Sequence, residues 1–374
     1  MSFSFKDFFT NLSGSKTQLQ AKFRIDNKNT DIGSQLNKPF IADETYFAVW
    51  VNEMFLFKDR EWLNGYEPIV FAFTDFQYGT QKNMEVPFVV GRTLIADKKI
   101  SIAEGTLFQN TQIAGVHPYA GDSLTIYMVL SKYKNEDYLE KSLKFIEKIS
   151  GVFSENVKII LQKISGIAGV LKEGIESLHD SPNVRPVIGS REEMSSQLRD
   201  IMPGYFVMIN RPENEISPDN FFVKDDKLYY GTSFKDCEPY RESDYVLYSL
   251  VNIPSRQDEK TLPFYPQYLS LKDDASQVIL LKDDSDDKEK QRYQMDKDRL
   301  NQKFAAVKNQ IDQSFDLITS QKKILKEKYF TELCEMLKPL QMLSKGDEKK
   351  ERVFENEQER KVFELENESV KLTF

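Results

Sequence analysis

The sequence predicts an α+β protein. An N-terminal antiparallel, β-sandwich-like domain carries a helical pair, and a smaller α+β unit and a long C-terminal helix follow. Three observations carry this reading. Residues 17–134 hold apolar runs rich in aromatic and β-branched residues, separated at short spacing by turn residues. After Asn135 the apolar period becomes helical. Between Arg292 and Leu337, apolar residues recur at heptad-compatible spacing in a charged background.

The strands expected in the first domain are Leu19–Ile25, Thr45–Phe57, Pro68–Phe76, Val86–Val90 and Ser123–Leu130. The second and third are apolar on both faces, which suits strands buried between layers. The segment "GVHPYAGDSLTIYMVL", Gly115–Leu130, reads as a turn that launches a strand. Pro118 biases His117 toward an extended backbone, and Gly115 and Gly121 allow turn geometry that other residues resist. Leu124, Ile126, Met128 and Leu130 then share one face, with Thr125, Tyr127 and Ser131 on the other. The first domain is therefore placed at 1–135.

A helical pair is expected over 136–180. Leu139, Leu143 and Ile146 begin it, and Val157, Ile160, Leu161, Ile164, Ala168, Leu171, Ile175 and Leu178 form the second stripe. The smaller unit spans 181–265. It contains a short helix in "REEMSSQLRDIM", strands at Gly204–Asn210 and Asp244–Ile253, and a hairpin turned by Asp225-Asp226. An acidic linker at 266–290 and a long helical, coiled-coil-like segment at 291–345 come next, with Pro339 ending the helix. A charged tail occupies 346–374.

Composition narrows the function. The net charge is −8, with 51 basic and 59 acidic residues, which does not suit a dedicated nucleic-acid binder. The chain carries 27 Phe and 17 Tyr, enough for substantial cores. Two cysteines, Cys237 and Cys334, lie far apart, so a disulfide framework and a CxxC metal knuckle are excluded. Two histidines exclude a site built from several imidazoles. The N-terminus lacks the pattern of a secretion signal, and no run approaches the ~18 apolar residues of a membrane span. The expectation is a cytoplasmic protein.

No catalytic set emerges. His117 lies near Asp122 and Ser123, but "GDSL" here opens an apolar strand, and no Asp precedes His179 by three residues. Cys237, in "KDCEPY", is flanked on both sides by acidic neighbours that disfavour a thiolate. Asp283, Asp284, Asp286 and Asp287 lack the glycine and terminal glutamate of a calcium loop. No cofactor is implied, because no phosphate loop, zinc helix or dinucleotide fingerprint is present.

The leading expectation is a non-enzymatic interaction protein: an adaptor, scaffold or regulatory subunit. Its candidate contact residues are Leu300, Phe304, Val307, Ile311, Ile318 and Leu325, which would meet a protein partner or a second copy. In layout alone, with no shared motif, the chain resembles accessory proteins of bacterial multi-gene defence systems. Two alternatives stand beside this reading. One is a hydrolase using a carboxylate or Cys/His site; the other is a membrane-acting protein using the amphipathic stretch Val157–Leu178.

Overall fold

A computed structural model describes residues 20–57, 66–79, 81–91, 110–134, 184–197, 200–278 and 286–343. The helical pair expected at 136–180, with His179, and the tail at 346–374 lie outside these residues. The chain is α+β, with antiparallel strand pairing throughout its sheets and three α-helices among the described residues.

Among the described residues twelve strands run in chain order: β1 Ala21–Arg24, β2 Tyr46–Phe55, β3 Tyr66–Tyr78, β4 Gln81–Gly91, β5 Thr111–Pro118, β6 Leu124–Lys134, β7 Val184–Met194, β8 Gly204–Ile209, β9 Phe221–Lys224, β10 Lys227–Gly231, β11 Cys237–Pro239 and β12 Tyr245–Ile253. One sheet has the order β1-β8-β12-β2-β5, a second β4-β3-β6-β7, and a small third β11-β10-β9. The helices are α1 Tyr265–Ser276, α2 Asp287–Asp312 and α3 Thr319–Leu343.

The first two sheets share one apolar core. Phe47, Val49 and Val51 of β2 and Val246, Tyr248 and Leu250 of β12 belong to the same buried cluster as Val70 and Ala72 of β3 and Leu124, Ile126, Met128 and Leu130 of β6. The face expected for β6 is the one observed. The other side of the first sheet packs on the small third sheet, through Phe55, Tyr245, Leu247, Phe221, Val223 and Leu228.

A bulge in β2 makes this two-sided burial possible. Val51 pairs with Tyr248 and Glu53 pairs with Leu247, which leaves Asn52 as the extra residue. Before the bulge, odd-numbered residues enter the shared core; after it, Met54 does. Glu53 and Phe55 therefore turn toward the third sheet. Strict alternation through Asn52, with no bulge, would put Glu53 on the face of Val51 and aim its carboxylate into the main apolar core.

The expected boundary between 1–135 and 181–265 does not match the strand pairing. β7 pairs with β6, and β12 pairs with β2, so the two segments build common sheets. The helix expected in "REEMSSQLRDIM" is strand through Met194. Its charged residues meet the solvent-facing edge of a sheet, and pairing with β6 overrides local helix propensity. The outer edge of β7 is capped by side chains: Gly189 N–H donates to Gln20 Oε1 at 3.1 Å, and Lys22 Nζ donates to Arg191 O at 2.8 Å.

The expected linker at 266–290 is helical in its first part. Tyr268, Leu271 and Ala275 of α1 are buried at helical spacing. The expected single helix at 292–337 is two, α2 and α3, broken at 313–318. The Ser314 hydroxyl accepts from Asp316 N–H at 3.3 Å, a local bond that competes with the helix. Asp286 caps α2 in a reciprocal capping box with Glu289. α3 continues past Pro339 to Leu343.

Two compact units divide the chain. One holds the strands, up to Pro263, together with Ser314–Lys322; the other comprises Phe264–Gln313 and the chain from Lys323. In the helical unit Tyr268 and Tyr329 stack at 3.6 Å and 7°, Phe304 meets Phe330 at 6.0 Å, and Glu332 receives Tyr268 Oη–H and Lys272 Nζ.

Candidate functional site

The connection between α2 and α3 is anchored by several specific side-chain and backbone bonds. It belongs to the β unit, and Asp316, Leu317 and Ile318 are buried there. Ile318 N–H donates to Tyr46 Oη at 3.0 Å, and Thr319 N–H donates to Asp43 O at 2.9 Å. Burial pushes the Tyr46 phenol up to about 12.

Arg256 is the centre of this anchoring. Its guanidinium donates to Asp316 Oδ1 at 3.1 Å and to Asp316 O at 3.2 Å. It also grips Asp258 with two bonds of 2.8 and 2.7 Å. Gln321 brackets the Arg256 backbone, accepting from its N–H at 3.0 Å and donating to its carbonyl at 2.9 Å. Burial opposes the Arg256 charge, but Asp258 and Asp316 outweigh it and hold the pKa above its ordinary value. The Asp258 carboxyl is held below the usual range, first by its hydrogen bonds from Arg256.

One aromatic residue of this pinned loop faces outward. Phe315 is 49% exposed, with its ring laid over the β3–β4 turn. A Cβ on Gly79, whose φ is +57°, would stand 2.6 Å from the Phe315 ring. Tyr78 meets the same ring edge-on at 6.1 Å. Only glycine allows both the turn conformation and this close approach.

His117 lies beneath. Its ring contacts Phe76 at 4.7 Å, Phe47 at 5.9 Å and Tyr78 at 6.2 Å. The residue keeps some surface through its other atoms, but Nδ1 is shut off from solvent and has no protein hydrogen-bond partner. Burial, then the nearby Arg256, lowers the imidazole pKa to about 3, against a smaller opposing pull from Asp258. The imidazole is neutral, and its close ring contacts are aromatic, so it works as packing.

The remaining candidates are placed as follows. Cys237 Sγ donates to Phe234 O at 3.5 Å and is partly buried. Phe304, Val307, Ile311, Ile318 and Leu325 are buried within the chain, and Leu300 is half-buried. The apolar stripe expected to meet a partner is thus closed by the protein's own residues. Gly121 has φ +91° and stands against Ala42, so the Gly115–Asp122 segment includes the expected strained turn, although Thr111–Pro118 is strand.

A second buried polar group ties the small sheet to the first. Glu53 accepts from Tyr245 Oη–H at 2.7 Å, Leu228 N–H at 2.8 Å and Arg241 Nη2 at 2.8 Å. All three donors converge on one carboxylate, an acceptor-only arrangement. At the β9–β10 turn, Asp225 and Asp226 both have positive φ, as the expected hairpin requires. Asp226 accepts from Tyr205 Oη–H at 2.5 Å and Asn110 Nδ2 at 2.6 Å.

Comparison of the chain with known protein families, with curated proteins and with solved structures finds no match. No helix among the described residues is long and apolar enough to cross a membrane.

Proposed function

We propose that this chain is a non-enzymatic protein-interaction module, an adaptor, scaffold or regulatory subunit, that presents Phe315 as a rigid anchor to a folded protein partner. The two facing sheets act as a β-sandwich platform for the loop. The observation that supports this is a half-exposed aromatic on a segment whose neighbours are buried and pinned by Arg256, Gln321 and Tyr46. An anchor already ordered loses little entropy on binding, and buried aromatic anchors carry much of the energy of an interface. The buried stripe of α2 and α3 serves as core in this reading, and the partner surface moves to the loop between those helices. A cytoplasmic setting within a bacterial defence assembly remains the proposed context, on the resemblance of layout.

The test is comparative capture from native lysate, using the wild-type chain, Phe315→Asp and Met295→Asp. Met295 is 72% exposed on α2 and serves as the control. The expected result is one discrete partner retained by wild type and Met295→Asp and lost by Phe315→Asp, with equal unfolding midpoints. Retention of the partner by Phe315→Asp overturns the assignment of the anchor.

A further inference from the structure

We propose that His117, Tyr78 and Phe315 form a contact relay through which acidification loosens residues 314–322 from the β unit. The geometry supplies each link. The His117 ring lies against Phe76, Phe47 and Tyr78. Tyr78 lies against Phe315, and Phe315 covers Gly79. The charged groups that face the imidazole are Arg256 and Asp258, on the segment that grips Asp316. A proton added to His117 would place a cation among three aromatic rings beside the guanidinium that holds the loop. Nδ1 has no protein partner to accept that proton's hydrogen bond. The closed arrangement therefore selects the neutral ring.

The sign follows from linkage. In the closed state the imidazole pKa is lowered to about 3, while a released or unfolded histidine titrates near its ordinary value of 6.5. The stabilisation is fully present above pH 6.5 and is lost as pH falls from 6.5 toward 3. At pH 5 the released state is favoured by at most about 30-fold relative to neutral pH, the limit set by a full return to the ordinary pKa. The response is local, because the loop is held by a few side-chain bonds, whereas the sheets beneath it carry continuous backbone pairing.

Attachment of the loop to the β unit does not depend on any partner. Amide protection reads the attachment; partner capture reads the interface. Hydrogen exchange is followed on the full chain at pH 7.5 and pH 5, corrected for intrinsic rates. The reporters are the Ile318 and Thr319 amides, with the Met128 amide of β6 as reference. The expected result is a several-fold fall in protection at Ile318 and Thr319, bounded by about 30-fold, with Met128 unchanged. His117→Phe and His117→Gln, which carry no titrating group there, abolish the fall. Two variants are used so that loss of folding in one leaves the comparison intact. An unchanged loop, a parallel loss at Met128, or a fall that survives in a folded variant overturns the proposal.

Discussion

Gln321 and Arg256 form a two-bond bracket across 65 positions of sequence: the Gln321 amide accepts the Arg256 N–H at 3.0 Å and donates to the Arg256 carbonyl at 2.9 Å. The same arginine grips Asp316, five residues before Gln321, so backbone and side chain of one residue hold both ends of one short segment. The arrangement resembles a strand pairing made by a side chain. It satisfies two buried backbone groups that no neighbouring strand reaches.

Arg256→Ala is expected to destabilise the β unit by about 3–5 kcal/mol, because it leaves the Asp316 carboxylate buried and unpaired. The Arg256→Ala, Asp316→Leu double variant recovers part of that loss. Urea unfolding checks both, read as a shift in midpoint at constant slope. A double variant that loses as much as Arg256→Ala would contradict the unpaired Asp316 carboxylate as the source of the loss.

Deleting Asn52 removes the bulge and brings Glu53 directly after Val51, so strict alternation keeps Glu53 facing the third sheet and Met54 facing the main core. The expected outcome is a chain that still folds, weakened by about 1–3 kcal/mol because the Asn52 side-chain bonds to Asn110 and Asp226 are lost. Asn52→Ala, which keeps the extra residue, is expected to lose a similar amount, and urea unfolding compares the two. A deletion that fails to fold while Asn52→Ala folds would contradict the assigned register.

Gly121→Val combines φ +91° with a Cβ 2.8 Å from that of Ala42. A loss of about 1–3 kcal/mol and lower soluble yield are expected. Gly79→Ala moves the Phe315 ring as well, because the added methyl occupies its place. Tryptic cleavage at Lys322 and Lys323 should then accelerate in the Gly79 variant and stay unchanged in a folded Gly121 variant.

Tyr46 supplies an alkaline test. Its folded pKa is raised to about 12 from an ordinary 10. The contribution is present below pH 10 and is lost as pH rises from 10 to 12. Tyr46→Phe is expected to be less stable at neutral pH, because Ile318 N–H loses its acceptor, yet to show a shallower fall in stability above pH 10. Parallel pH profiles for the two proteins would place the ionisation elsewhere.

The strands were legible where pattern and turn chemistry agreed, as in β6 and the Asp225-Asp226 hairpin. Partnering between strands was not, because the sequence distance from β2 to β12 carries no local signal. The C-terminal end of β7 reads as helix because "REEM" has helix-forming side chains, and only its pairing with β6 makes it strand. The candidate site was visible in one respect. Ser314 and Gln321 interrupt the apolar stripe of 291–345, and these are the residues that turn the loop and bracket Arg256. Arg256 itself sits in an ordinary charged stretch, and its burial depends on a segment sixty residues away.

If Phe315 anchors a protein partner, a photo-crosslinking residue at position 315 lies within that interface. Irradiation in the native setting is compared with the same residue at position 295. The expected result is one discrete covalent adduct from position 315, absent from position 295, and lost when unlabelled wild-type chain is added in excess. A diffuse set of adducts common to both positions, or none at 315 while the chain stays folded, would contradict it.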